Sequence, residues 1–341
     1  MITLENDRLV FSVPEVHEDA RIEIDFQRTL RIPDDDRTYP LPPGLGNFPL
    51  RHVDDYRRRV PAHWRPRGGV MLPMFQSEAL WVSFGGRHGY PFALKIATGK
   101  INAVDGKPWA SGLAAEPQNY MIVPPQPWLD GYCVEKGIIR QFVAMPLGAG
   151  YSGEEQITGE AEHGGIQIVA YPMKRAVYEE MLRKRGRDRV AFCLSDAQVF
   201  RGPMPCAAPA DMGLAPGGRM RQHIYEDEHG IDAWEQAHGS RCFVAIANSL
   251  SWRAITGEAP PNLPPTARDY AKAKLPWFDY YAEAPAVEGA GALQTLLSVV
   301  GMGKKKGETP LPENDSADVN VVVPLGPAKP GPRPVREAVL E

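Results

Sequence analysis

The sequence lacks the short motifs that announce a chemistry. It has no Cys-x-x-Cys pair, no His-Glu-x-x-His, no Gly-x-Ser-x-Gly elbow and no Walker loop, so zinc ribbons, zincins, α/β-hydrolases and P-loop NTPases are left without their signatures. Cysteine is scarce, with four in all (Cys133, Cys193, Cys206, Cys242). Cys193 and Cys242 sit inside apolar runs, which leads us to expect buried reduced thiols and a reducing, cytoplasmic setting. Long apolar runs are missing too. The stretch at 296–300 is far short of the roughly 20 residues a membrane span needs, and residues 1–8 carry acids where a secretory leader carries bases. Charge of one sign is absent: 38 basic against 42 acidic residues leave a formal net charge of −4. No global field draws such a chain to nucleic acid or to an anionic membrane, and nucleic acid is disfavoured as a partner.

What is abundant is punctuation. The 33 glycines and 34 prolines make up about one residue in five, too many for a helical bundle, coiled coil or helical solenoid, because each weakens a helix interior by roughly 1 to 3 kcal/mol. The 43% hydrophobic share still suffices for a core. Residues 21–26 alternate Arg, Ile, Glu, Ile, Asp, Phe, the pattern of an antiparallel strand with one buried and one wet face. Similar runs occupy 70–75, 79–84, 91–98 and 101–104, the last ending on the hairpin dipeptide Asp105-Gly106. Strands are also expected at 133–145, 166–171, 190–194 and 242–247. A helix is expected over 174–184, a helix start at Thr266 with Asp269 three residues on, and a further helix along Leu293, Leu296, Leu297 and Val300. The region 34–46 reads as a loop unable to hold a ladder, and Pro203 to Gly218 as a loop-rich insert.

These elements define an α+β, β-rich fold. Antiparallel sheets are packed as a sandwich or partly closed barrel, with a few peripheral helices and a Pro-rich C-terminal tail. The expected organisation is a β-rich core over 1–255, divisible into lobes 1–150 and 151–255, a helical segment over 256–303 and a tail over 304–341 too poor in apolar residues to order itself.

Candidate sites fall into two groups. Rigid aromatic residues beside prolines, Trp109, Trp128, Trp277, Phe278, Tyr280 and Tyr281, supply large contact area at low entropic cost and suit an interface. They favour a non-catalytic binding or assembly protein that meets a protein partner or its own copies, with no cofactor. The second group, Glu155, His163, His223, Asp227 and His229, has the imidazole and carboxylate chemistry of a divalent metal site and defines a metal-dependent enzyme as the alternative. A further alternative is a small-molecule binder in a barrel mouth lined by Trp109, Trp128 and Trp277. Gly148-Ala149-Gly150-Tyr151-Ser152-Gly153 matches Gly-x-Gly-x-x-Gly, but Gly159, Gly164 and Gly165 break any helix begun at Glu154, and no acid lies in 166–178. The run reads as a glycine-rich connection rather than a dinucleotide loop.

Overall fold

The structure is a computed structural model and describes residues 1–35, 37–86, 89–185, 211–280, 284–310 and 314–325. The chain opens with β1 (Ile2–Glu5), β2 (Arg8–Ser12), β3 (Arg21–Thr29), β4 (Thr38–Tyr39), β5 (Gly44–Asn47), β6 (Arg51–His52), β7 (Val70–Met74), β8 (Ala79–Gly85) and β9 (Phe92–Thr98). It continues through β10 (Ile101–Asn102), β11 (Met121–Val123), β12 (Trp128–Leu129), β13 (Gly131–Glu135), β14 (Ile138–Pro146), α1 (Gly153–Thr158), β15 (Ile166–Pro172) and α2 (Arg175–Arg185). The last part holds β16 (Met212–Arg221), β17 (Ser240–Asn248), α3 (Ser249–Thr256), α4 (Ala267–Lys272), β18 (Trp277–Asp279), α5 (Gly291–Gln294), α6 (Val299–Lys305) and β19 (Val322–Pro324).

Two sheets carry the fold. The first runs β1-β2-β3-β8-β14-β16-β4, with β5, β12 and β13 on β3, β8 and β14; the second runs β10-β9-β15-β17-β7-β6, with β11 on β9. All their pairings are antiparallel except β16–β4 and β17–β7. The sheets face each other across one core. Ile22, Ile24 and Phe26 of β3 and Phe142 and Ala144 of β14 meet Leu94 and Ile96 of β9, Ile166 and Ile168 of β15 and Val244 and Ile246 of β17. This is the sandwich form of the expected fold, and neither sheet closes into a barrel.

Alternation alone leaves the outer faces wet, but three further apolar layers cover parts of them. Val53, Val60, Trp64 and α3 residues Trp252 and Ile255 lie over Met71, Ala245 and Ala247 on the second sheet. On the first sheet, Tyr270, Trp277 and Ala317 cover Ile139 and Met220, and Val299 and Met302 cover Val143 and Ala215. The C-terminal segment is therefore bound down as far as residue 325. Asp35 accepts from Ser316 Oγ (2.6 Å), Arg31 donates to Asn314 Oδ1 (2.6 Å) and Arg268 pairs with Asp315. Of the tail expected to lack order, residues 314–317 are held by these side-chain bonds and by the buried Ala317, while 311–313 and 326–341 lie outside the described residues.

Several elements differ from expectation for identifiable reasons. Residues 133–145 form a hairpin rather than one strand, because Gly137 takes φ +73° between β13 and β14. Within 34–46 two short strands, β4 and β5, do pair. Pro216-Gly217-Gly218 lies inside β16, where the register against β14 shifts between Arg140 and Phe142. A Cβ on Gly217 would stand 2.5 Å from Val143 Cγ2, and one on Gly218 would collide with the Pro33 carbonyl, so close backbone approach selects these glycines. Residues 293–300 split into α5 and α6, the second capped by Ser298 Oγ accepting from Gly301 N (3.0 Å). The short α1 does form after Ser152 and ends at Gly159, while α3, capped by Asn248, is an element that periodicity missed. The expected strand 190–194, with Cys193, Cys206 and Pro203 to Pro209, lies outside the described residues.

One hydroxyl joins the sheets. Tyr132 of β13 shares a short hydrogen bond with Thr98 Oγ1 of β9 and donates to Leu214 O of β16 (2.9 Å), and burial pushes its phenol well above the ordinary range. Tyr132→Phe leaves Thr98 and the Leu214 carbonyl without this partner in a closed core. We expect a loss of about 1 to 3 kcal/mol, read as a lower urea midpoint at unchanged m-value.

Candidate functional site

The acidic and histidine residues are not brought together. Glu155 completes the cap of α1: its carboxylate accepts from Ser152 Oγ (2.7 Å), Ser152 N (3.0 Å) and Gly150 N (2.6 Å). The His163 N–H donates to the buried Glu154 carboxylate (2.7 Å), and its ring lies 3.4 Å from Arg67 Nη2. Burial holds its pKa below the usual imidazole value, with nearby Lys100 adding to the shift. Asp227 anchors a loop, accepting from Tyr120 OH (2.5 Å), Trp234 Nε1 (2.8 Å) and His229 N (2.9 Å), while the His229 ring packs edge-on to Trp234. Ser152, at the start of α1, stands against Gly213 near one end of β16, whereas residues 223–229 follow its other end. The 10-residue strand between them spans roughly 30 Å. Among the described residues no group of three His, Cys, Asp or Glu is placed to hold a metal ion.

The aromatic residues divide as well. Trp109 is half-buried on the main core beside Lys95 of β9, whose ammonium lies 5.5 Å from the ring centroid and donates to Ala110 O and Gly112 O. Trp277 is 0% exposed, lying 5.8 Å from Tyr39 and 6.0 Å from Tyr270 between ring centroids. It binds the C-terminal segment to the first sheet rather than meeting a partner, and the three tryptophans line no common mouth. Tyr281 lies outside the described residues. Phe278, Trp128 and Tyr280 remain half-buried, and Trp128 stacks against both Tyr280 (5.2 Å) and Trp81 (6.1 Å).

At this aromatic group the two candidate sets meet. A shallow cleft is lined by Gln126, Trp128, Gln222, His223, Tyr225 and Tyr280. Its floor is stitched by two buried glutamines. Gln126 Nε2 donates to Trp128 O (3.0 Å) and His223 O (3.1 Å), and its Oε1 accepts from Tyr225 N. Gln222 Oε1 accepts from Asp130 N (2.9 Å), and its Nε2 donates to Asp130 Oδ2 (2.8 Å) and Trp128 O (3.2 Å). The prolines at 124, 125 and 127 cannot donate main-chain hydrogen bonds, so the amide side chains supply the donors that hold this turn.

Asp130 lies behind the cleft with no exposed surface. Burial pushes its carboxyl up to about 8, against smaller opposing effects of Trp128 and Gln222. Neither Asp130 Oδ1 nor the Trp128 indole N–H completes a hydrogen bond. Burial therefore favours the protonated form of this carboxyl, one oxygen of which is held by Gln222. Gln126, Asp130 and Gln222 are the members that sequence reading missed. The available signal was a lone glutamine inside Pro-Pro-Gln-Pro-Trp, a setting in which a polar side chain is more useful to the backbone than to water. Comparison with protein-family models, curated proteins and solved structures finds no match.

Because the folded carboxyl binds its proton more tightly than the ordinary 3.8, its stabilising contribution is complete below about pH 4 and is lost as pH rises through about 8. Asp130→Asn has no such proton to release. Relative to the variant, the unmodified protein should lose more than about 1 kcal/mol between pH 5 and pH 9, measured by urea unfolding at each pH. Parallel curves would show that the carboxyl does not titrate in this range.

Proposed function

We propose that this chain is a non-catalytic binding or assembly protein whose contact surface is the aromatic and valine-rich patch over the first sheet. One observation carries the reading. Beyond the buried Ala317, the chain holds Val321, Val322, Val323 and Leu325 at 50%, 42%, 38% and 39% exposure, next to β18, which carries the half-buried Phe278 and leads into Tyr280 against Trp128. Scattered apolar residues on a surface need no explanation, but a contiguous row on a pinned ribbon beside aromatic rings has the composition of an interface centre. The anchors at Asn314, Asp315, Ser316 and Ala317 keep the ribbon in place without burying the row. The cleft beside it suits a side chain of a docking partner, since the amides of Gln126 and Gln222 are engaged in holding the turn.

The triple variant Val321→Ser, Val323→Ser, Leu325→Ser tests this reading. Sedimentation velocity and mass photometry on the full chain should show association, with its own copies or with a co-purified protein, that the variant loses while its Tm stays within a few degrees. Identical monomers with identical company in both preparations would overturn the proposal.

A further inference from the structure

Among the described residues the patch presents an unpaired strand edge as well as apolar side chains. β19 pairs in parallel with β18, Trp277 opposite Val322 and Asp279 opposite Pro324. Trp277 N donates to Val321 O (2.8 Å) and Leu325 N to Asp279 O (2.6 Å). In a parallel ladder alternate residues direct their main-chain groups to one neighbour. Residues 321, 323 and 325 therefore face β18, while Val322 N–H, Val322 C=O and Pro324 C=O face away from it. The inner strand is closed on its other side, since Leu41 and Phe278 exchange hydrogen bonds (2.8 and 2.9 Å). Among the described residues no strand pairs with the outer edge of β19. An unprotected apolar edge is a template for one more strand.

We propose that the occupant of this edge is β19 of a second copy, paired antiparallel about a two-fold axis through Val322. This rests on the assembly reading above and names the partner. Two features favour a second copy. A two-fold placing Val322 opposite Val322 lets each copy's single outward N–H donate to the other's outward carbonyl, and the missing N–H of Pro324 falls at the margin, opposite residue 320, where the ladder ends. The flanking charges are also of opposite sign: Asp318 precedes the strand, beside an Asp315 already paired with Arg268, and Lys329, Arg333 and Arg336 follow it in the sequence ahead of Glu337 and Glu341. Antiparallel pairing sets the acidic flank of each copy toward the basic flank of the other, whereas parallel pairing sets like against like. The result is a four-stranded ribbon β18-β19-β19-β18 that closes the outer edge of β19 and brings the valine rows of the two copies side by side.

Cysteine pairing tests the register. Residues opposite each other in a hydrogen-bonded antiparallel pair have Cα atoms about 5.5 Å apart, within disulfide reach. Under mild oxidation Val322→Cys should give a covalent dimer as its main product, with much less from Val321→Cys or Val323→Cys alone and efficient linkage when those two variants are mixed. Val322→Pro removes only the outward N–H, at a position where an edge proline is tolerated. It should weaken dimerisation by at least about tenfold, the effect of roughly 1.4 kcal/mol, with Tm unchanged. A wild-type dimer in which Val322→Cys links no better than Val321→Cys would overturn the β19 pairing and leave the assembly reading standing. A wild-type chain that stays monomeric at about 100 μM would overturn self-pairing, and the triple serine variant then decides the broader reading through its loss or retention of a heterologous partner.

Discussion

The hydroxyl of Tyr132 sits where three parts of the molecule must come closest, and much of the local backbone is fitted around it. It meets Thr98 on the second sheet and the Leu214 carbonyl on the first, so it fixes how the two layers stand across the core. A Cβ on Gly153 would lie 2.7 Å from the same oxygen, which makes glycine the residue that lets α1 begin there. One residue on, Glu154 is buried and its carboxylate collects the N–H groups of Glu162, His163 and Gly164 (3.1, 2.7 and 2.8 Å). It also fills the space a side chain on Gly99 would need, so Gly99 and Lys100, both at positive φ, make the two-residue hairpin between β9 and β10. The Gly-x-Gly-x-x-Gly match at 148–153 thus has a packing cause at its last glycine.

A second constraint acts on the outer face of the first sheet. Gln141 on β14 has no exposed surface, and its amide accepts from Ile32 N (3.0 Å) and donates to Leu30 O (2.8 Å). A side chain here does the work of a neighbouring strand and lets 30–33 run extended beside the bulge in β16. Next to it, Arg28 and Glu78 form a buried pair (2.7 Å) in which Glu78 also accepts from Phe75 N. Burial pushes Glu78 up, against the opposing pull of Arg28 and of the Phe75 N–H. Segment 256–325 builds on this surface through Trp277, Tyr270 and Ala317.

What the sequence makes legible is what depends on near neighbours. The alternation at 21–26 is β3 because the pattern is itself the burial. Thr266 with Asp269 is a capping box in the structure, and the helix over 174–184 appears as α2 within one residue at each end. Pro216-Gly217-Gly218 fails as a loop signal because those glycines answer to Val143 and Pro33, far away in the chain. The site follows the same rule. Trp128 and Tyr280 stand out for their composition and do meet, but Gln126, Asp130 and Gln222 act through hydrogen bonds across some 92 to 97 residues, which no local spacing encodes. His223 belongs with the aromatic group and not with Glu155 and His163, because β16 carries it away from them.

The valine row remains the feature that internal stability does not account for. Burying a valine from water is worth roughly 1.5 to 3 kcal/mol, and the residues from Val321 to Leu325 forgo much of that while being held in a fixed ribbon. Ordering them costs backbone entropy as well, on the order of 1 to 2 kcal/mol per residue. The segment's own anchors are the bonds at 314–317, Asn320 Nδ2 on Ala271 O (2.9 Å) and the bonds from Trp277 and Asp279, and polar side chains at the outward positions would protect its edge. An edge that carries apolar side chains instead gains only when something covers it, and the surface free to do so must supply an N–H, a carbonyl and an apolar row in the same spacing. β19 meets each of these requirements itself.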